Sequence, residues 1–259
     1  EDRWINSQLN RLIKSVTKLM QDFQFGEAEQ QVYDFIWSKF CDWYIEIAKT
    51  RLQTASYQLS AISYQSPLPF LVNTLEKSLR LLHPFMPFIT EELWQGLKQR
   101  LLRFARNDNV RMPDSIMIAP YPLADDKAID VEAERAMDCV IEIIRSIRNA
   151  RAQYKVKPDK WIGAQVYTDE LLSGLIPQTE IIGKLARVQP LAILSRQERK
   201  PAKEEALILV LKEAEVVLHW ASMVDRLAEK QRLTKESEIT RARIAQLDAR
   251  LKDNAFLTK

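Results

Sequence analysis

Between Trp4 and Phe23 the apolar residues Trp4, Ile5, Leu9, Leu12, Ile13, Val16, Leu19, Met20 and Phe23 recur in steps of three, four and one, the period of an amphipathic helix. The opposite face holds Arg11, Lys14 and Lys18. Gly26 interrupts, and the pattern predicts a second helix from about Glu27 to Leu52 with Val32, Phe35, Ile36, Phe40, Trp43, Ile47 and Leu52 inward. A third helix, from about Phe70 to Leu82, follows Pro67 and Pro69. A fourth uses Phe88, Leu93, Leu97 and Leu101. The break before it reads "LLHPFMPFITEELWQ", Leu81 to Gln95. Proline lacks an amide proton and clashes with the preceding turn, so Pro84 ends one helix and Pro87 sits at or before the first turn of the next. Thr90 is then an N-cap or a first-turn residue, and Glu91 and Glu92 suit the helix dipole. Phe85, Met86, Phe88 and Ile89 predict a buried corner. His83 has no Asp, Cys or Ser beside it and reads as structural. Four helices with short links make a bundle over residues 1–106.

Residues 107–127 lose the helical period and collect Pro113, Pro120 and Pro122, the pattern of a surface connector. Residues 128–220 open with a long helix, about Asp130 to Tyr154. Short β-rich runs follow, with "WIGAQVYT" as a strand, "TEIIGKLARV" as a helix and "ALILVLKEAEVVLHW" as a strand pair, together a small α+β subdomain. From 221 to 259 the chain is one highly charged helix ending in the turn-like "KDNAFLTK". Leu233, Ile244, Leu247 and Leu251 hold a heptad frame, but Ser237 and Thr240 fill positions between them. Such a helix needs a partner over its seam, as in half of a coiled coil. The fold class is mainly α.

Composition narrows the chemistry. Five glycines in 259 residues leave little material for Gly-rich phosphate loops. Cys41 and Cys139 lie far apart, and with two histidines they suggest neither a disulfide framework nor a zinc site. A reducing, cytoplasmic setting fits, and no run of about 18 uncharged apolar residues suggests a membrane. A formal charge of +3 is too small to imply nucleic-acid binding by itself, so a basic face must be local.

The runs "EDRWINSQLNRLIKSVTKLM", "FIWSKFCDWYIEIAKTRL" and "LLHPFMPFITEELWQ", in this order, resemble the anticodon-binding helical bundle of class I aminoacyl-tRNA synthetases of the Val/Leu/Ile group. "SIMIAPYP", "IRSIRNARAQYKVKP" and the charged helix ending in "LDARLKDNAFLTK" resemble the valyl members, which end in a coiled-coil arm. The resemblance implies tRNA(Val) as partner, its anticodon read through the central adenine and the following cytosine, and its outer corner supported by the arm. It also implies upstream catalytic and editing domains in the same chain, with ATP and Mg as cofactors of the full-length enzyme and none in this part. A monomer without membrane contact is expected. No HIGH-type or KMSKS-type motif occurs in these residues. An isoleucyl or leucyl enzyme is the alternative within the group, although the former often ends in a cysteine-ligated zinc module and the latter lacks the arm. A helical protein-interaction scaffold is the alternative outside it, and that reading requires a cleaner seam than Ser237 and Thr240 leave.

Candidate RNA contacts follow from charge and aromatic placement. Arg11, Lys14 and Lys18 form one stripe at i, i+3 and i+7, which a solvated face also explains. Tyr44, Lys49 and Arg51, next to Trp43, combine rings with cations as single-stranded bases require. On the long helix, Met137, Val140, Ile141, Ile144 and Ile147 form a stripe that Arg148, Arg151 and Lys155 continue on the same side. These three either bind phosphate or pair with carboxylates at the edge of the core. On the terminal helix, Lys235, Arg241 and Arg243 alternate with acids, so solubility is the competing explanation.

Overall fold

A computed structural model describes residues 1–57, 66–104, 112–199, 206–219 and 226–251. The chain divides into two compact units, Glu1–Asp138 and Cys139–Lys259.

In the first unit α1 (Asp2–Gln21) buries Trp4, Ile5, Leu9, Leu12, Ile13 and Val16 and packs against α2 (Phe25–Phe35) and α4 (Leu68–Leu82). The turn between α1 and α2 places Phe23 at φ 58°. The single second helix expected from the sequence is three segments: α2, a π-helical stretch Ile36–Ile45, and α3 (Glu46–Tyr57). The physical reason lies in the spacing. Buried Phe35 and buried Phe40 are five residues apart, which at 100° per residue would turn Phe40 well away from the core. The i→i+5 winding of a π-helix brings it back and lets Trp43, Tyr44, Ile47 and Ala48 follow it inward.

The helix α5 (Pro87–Phe104) follows the proline corner. Thr90 lies inside its first turn, fully buried, and donates to the Met86 carbonyl at 2.8 Å. His83 Nδ1 lies 2.7 Å from the same hydroxyl, within hydrogen-bond distance. The histidine is a corner brace. The apolar residues of the corner are not buried as expected: Phe88 is 90% exposed, Ile89 52%, Leu93 51% and Met86 44%. The inward positions of α5 are Thr90 and Trp94, one turn apart, with Leu97 and Leu101 half-buried behind them. Phe88 therefore points away from the core.

Residues 112–118 are strapped along α5. Trp94, with Leu79 and Ile116, forms a small cluster that Leu75, Met112 and Ala119 close. Trp94 Nε1 donates to the Pro113 carbonyl at 3.2 Å and Gln95 to the Asp114 carbonyl at 2.5 Å. Glu91 Oε2 accepts from Ser115 Oγ at 2.8 Å and from the Ile116 amide at 3.1 Å.

In the second unit the later part of α6 (Val131–Gln153) buries Ile143, Ile144 and Ile147. A four-stranded sheet in the order β2-β1-β4-β3 follows, built from β1 (Ile162–Tyr167), β2 (Val188–Leu194), β3 (Ala206–Val210) and β4 (Glu215–His219). β1 and β2 are parallel, connected through α7 (Leu172–Leu175) and α8 (Thr179–Ala186); β4 is antiparallel to both β1 and β3. The strand β2 is absent from the sequence reading. Pro190 within it masks the signal, and the residue is tolerated because β2 is an edge strand. The last helix, α9 (Arg226–Leu251), has every side chain from Thr234 to Ala249 exposed. Of its seam residues Ile244 and Leu247 are uncovered, as is Ile239 outside the frame; the side chains of Leu233 and Leu251 and the expected turn at 252–259 lie outside the described residues.

The donors around Glu91, first Gln95 and then Ser115 and the Ile116 amide, hold its carboxyl below the ordinary glutamate value. A depressed native pKa stabilises the strap above the ordinary glutamate pKa, and the contribution is lost as pH falls through the native value. Protection of the 115–118 amides, measured relative to their intrinsic exchange rates, should therefore fall on acidification below about pH 4.5, and the Glu91→Gln variant should lack that step. An identical acid profile in both proteins contradicts the assignment.

Candidate RNA-binding surface

Three cations of α1 face the stretch that leads into α6. Arg3 meets Asp130 at 2.6 Å, Arg11 meets Glu134 at 2.7 Å and Lys14 meets Asp126 at 2.9 Å. Ser7 reinforces the row, donating to Glu134 at 2.5 Å and accepting the Asp130 amide at 2.8 Å. The hydrogen bond from Arg11 to Glu134 raises the arginine further above its ordinary value. The side chains of Arg11 and Lys14 remain 46% and 63% exposed. Lys18 is exposed one turn beyond Lys14 and makes no ion pair among the described residues. On the other side of Arg11, a groove of about 610 Å³ runs between α1 and the helix opposite, floored by Leu12 and Phe35 and rimmed by Arg11, Asp34 and Lys39. Lys39 donates to Gln8 there. The sequence reading passed over Lys39, a lone cation whose facing depends on the π-helical winding.

The Tyr44 group is arranged around the start of α1. Asp2 accepts from the Tyr44 hydroxyl at 2.7 Å and from Arg51 at 2.6 Å, and Glu1 lies 3.3 Å from Arg51. Burial first, and then Asp2, pushes the Tyr44 hydroxyl far above its ordinary pKa. Burial opposes the charge of Arg51, and Asp2 and Glu1 more than offset it. Tyr44 is fully buried, near-parallel to Phe40 at 6.3 Å, so its ring faces are spent on the core. Lys49 is exposed beside Glu46 at 2.6 Å.

In the second unit the stripe on α6 ends against backbone acceptors. Arg148 donates twice to the Leu185 carbonyl, at 3.0 and 2.9 Å, and stays exposed. Arg151 is 8% exposed. Its guanidinium donates to the carbonyls of Arg187 at 3.3 Å, Lys157 at 3.0 Å, Pro158 at 3.5 Å and Lys160 at 2.8 Å. Burial and then the charge of Arg187 hold it below the ordinary arginine value. Lys155 is exposed at φ 51° in the turn that leaves α6. On α9, Lys235, Arg241 and Arg243 are exposed and form no ion pair among the described residues.

Among the described residues no group of three or more His, Cys, Asp or Glu side chains is placed to hold a metal ion, and no helix is long and apolar enough to cross a membrane.

Residues 2–168 match the family described as the anticodon-binding domain of tRNA ligase. Along its whole length the chain is 42% identical to the valine–tRNA ligase of Dehalococcoides mccartyi (strain CBDB1), covering 28% of that protein. It is 36% identical to the valine–tRNA ligase of Symbiobacterium thermophilum and 34% identical to that of Clostridium acetobutylicum, again with the whole chain matched, covering 29% and 27% of those proteins. The chain thus spans well under a third of the length of these relatives.

Removing the Arg151 side chain leaves several inward-facing carbonyls without their donor. Arg151→Ala should cost roughly 3 kcal/mol of unfolding free energy, within the range for charged hydrogen bonds, with Arg148→Ala costing about 1 kcal/mol or less. Denaturant titration of the two variants ranks them, and equal losses contradict the distinction.

Proposed function

The chain belongs to the family of anticodon-binding domains of tRNA ligases, and from that premise we propose that it serves as the tRNA-binding C-terminal part of a valine–tRNA ligase. The observation that carries this reading is similarity to valine–tRNA ligases over all 259 residues, together with the family match over 2–168. In this reading the catalytic and editing chemistry, with ATP and Mg, belongs to the rest of a longer, cytoplasmic, monomeric enzyme. The part described here binds tRNA(Val), reads its anticodon and supports its outer corner.

The placement of the cations supports a division of labour among them. Lys18, Lys155, Lys235, Arg241 and Arg243 are exposed and unpaired with acids among the described residues, and so are available to phosphates. The exposed pairs of Arg11 and Lys14 belong to a class worth about 0.2–1 kcal/mol, so exchanging a carboxylate for a phosphate costs little. Lys49 and Arg148, exposed at their present partners, stand in the same position. Tyr44, Arg51 and Arg151 serve the fold, because taking them to RNA would expose buried acceptors or core surface.

Titration with tRNA(Val) and with a tRNA(Val) changed only in its anticodon tests the reading. A clear preference for the former is expected, and equal affinity for both defeats it. Phosphate contacts supply affinity indifferent to sequence, while base contacts supply choice. Changing Lys235, Arg241 and Arg243 together to alanine should weaken all tRNAs alike and flatten log K against log salt by roughly two to three. The anticodon preference should survive; an unchanged slope would remove α9 from the interface.

A further inference from the structure

We propose that the cations gathered where α6 and α8 end form a second RNA contact, a platform for backbone phosphates centred on Arg187 and indifferent to the anticodon. This deepens the reading of the chain as tRNA-binding and rests on it. The platform lies entirely in the second unit, and Arg187 falls beyond the residues 2–168 that the family match covers. Its geometry follows from the buried Arg151. By donating to the carbonyls of Lys157, Pro158, Lys160 and Arg187, that guanidinium draws the turn after α6 and the residue after α8 to one point. Arg148, one turn before Arg151, is held close by at the Leu185 carbonyl. Ile162 pairs with Val188 across the parallel strands and donates its amide to the Arg187 carbonyl at 3.3 Å, so Trp161 and Arg187 stand side by side where β1 and β2 begin.

The charge here is one-sided. Residues 145–160 hold Arg145, Arg148, Arg151, Lys155, Lys157 and Lys160 against the single acid Asp159. Lys155, Lys157 and Arg187 are exposed and make no ion pair among the described residues. Burial first, and then the charge of Arg187, hold the Arg151 guanidinium below the ordinary arginine value, so two like charges lie within reach of each other. An anion bound between them relieves that repulsion. The backbone gives an independent sign. Lys155 at φ 51° and Arg187 at φ 54° take the left-handed conformation, which is costly for a residue with a Cβ and which glycine ordinarily supplies after a helix. A helix end favours a nearby cation, but it does not require the cation to occupy the strained residue itself. Strain kept at an exposed, charged position points to a ligand. Trp161, 46% exposed beside Arg187, offers a ring to an unpaired base, which selects RNA over an acidic peptide as the occupant.

The test uses the full-length protein and the variant Arg187→Gly. Glycine fits the left-handed residue without strain and removes the charge that opposes Arg151, so the melting temperature should hold or rise. Affinity for tRNA(Val) and for a tRNA(Val) changed only in its anticodon should fall by the same factor, roughly threefold or more, with log K against log salt flattened by about one. Adding Lys157→Gln should flatten the slope by about one more. The control is Lys212→Gln, which should change neither quantity: Lys212 is exposed in the turn between β3 and β4, and because Tyr167 pairs with Glu215 that turn lies at the far end of β1 from Trp161. An unchanged slope in Arg187→Gly, or an equal loss in Lys212→Gln, overturns the proposal. A lower melting temperature with tRNA binding intact also overturns it, by making Arg187 a cap of α8 alone. Inorganic pyrophosphate at matched ionic strength should displace tRNA no more than chloride does. Selective displacement that Arg187→Gly abolishes would assign the site to a small polyphosphate and overturn the RNA reading. If the unaltered protein shows no anticodon preference while Arg187→Gly still flattens the slope, the proposed function falls and the platform stands.

Discussion

Burial of α1 is the constraint on which the first unit depends. Its six core residues are each 7% exposed or less, and they supply the surface that α2, the π-helical stretch and α4 cover. Burying a large aliphatic or aromatic side chain contributes about 1.5–3 kcal/mol, so no other helix of the bundle can compensate for a shift of this one. The constraint extends to the partner helix. To keep Phe35, Phe40, Trp43 and Tyr44 all facing α1, the backbone abandons regular α winding for ten residues.

With its inner face committed to the core, α1 leaves its cations on the outer face, where the acids of 126–134 meet them. The same residue types thus take two physical roles according to depth. Arg11 and Lys14 sit in water-accessible pairs that another anion can displace. Arg51 and Arg151 are set more deeply, Arg51 between Asp2 and Glu1 and Arg151 among backbone carbonyls. Charge patterning alone puts all four in one class; exposure and acceptor type separate them.

The helical period made α1, α4, α6 and α9 legible, and short β-rich runs revealed β1, β3 and β4. What escaped had specific causes. The π-helical stretch is invisible to a reading that assumes 3.6 residues per turn, although the five-residue gap from Phe35 to Phe40 marks it. Pro190 hid β2, because a proline tells against a strand unless the strand is known to lie at an edge. The corner from His83 to Trp94 was legible as a helix break but not in its facing. Which side of a short apolar run turns inward depends on the neighbour it meets, and here the strap at 112–118 claimed Trp94 and left Phe88 outside. Among the candidate contacts, the surface positions of Lys18, Lys155, Lys235, Arg241 and Arg243 agree with the pattern. The burial of Tyr44 and Arg151 was not decided by the pattern, which left each open between core and contact.

The carbonyls around Arg151 converge much as oxygens converge on a bound calcium ion, gathered from the turn after α6 and from the left-handed residue that ends α8. The guanidinium is an ion that cannot dissociate. Chelators, redox change and dilution, each of which dismantles a metal clip, leave this one closed, so the path from α6 into β1 keeps its shape across conditions that would unfasten a metal-built equivalent.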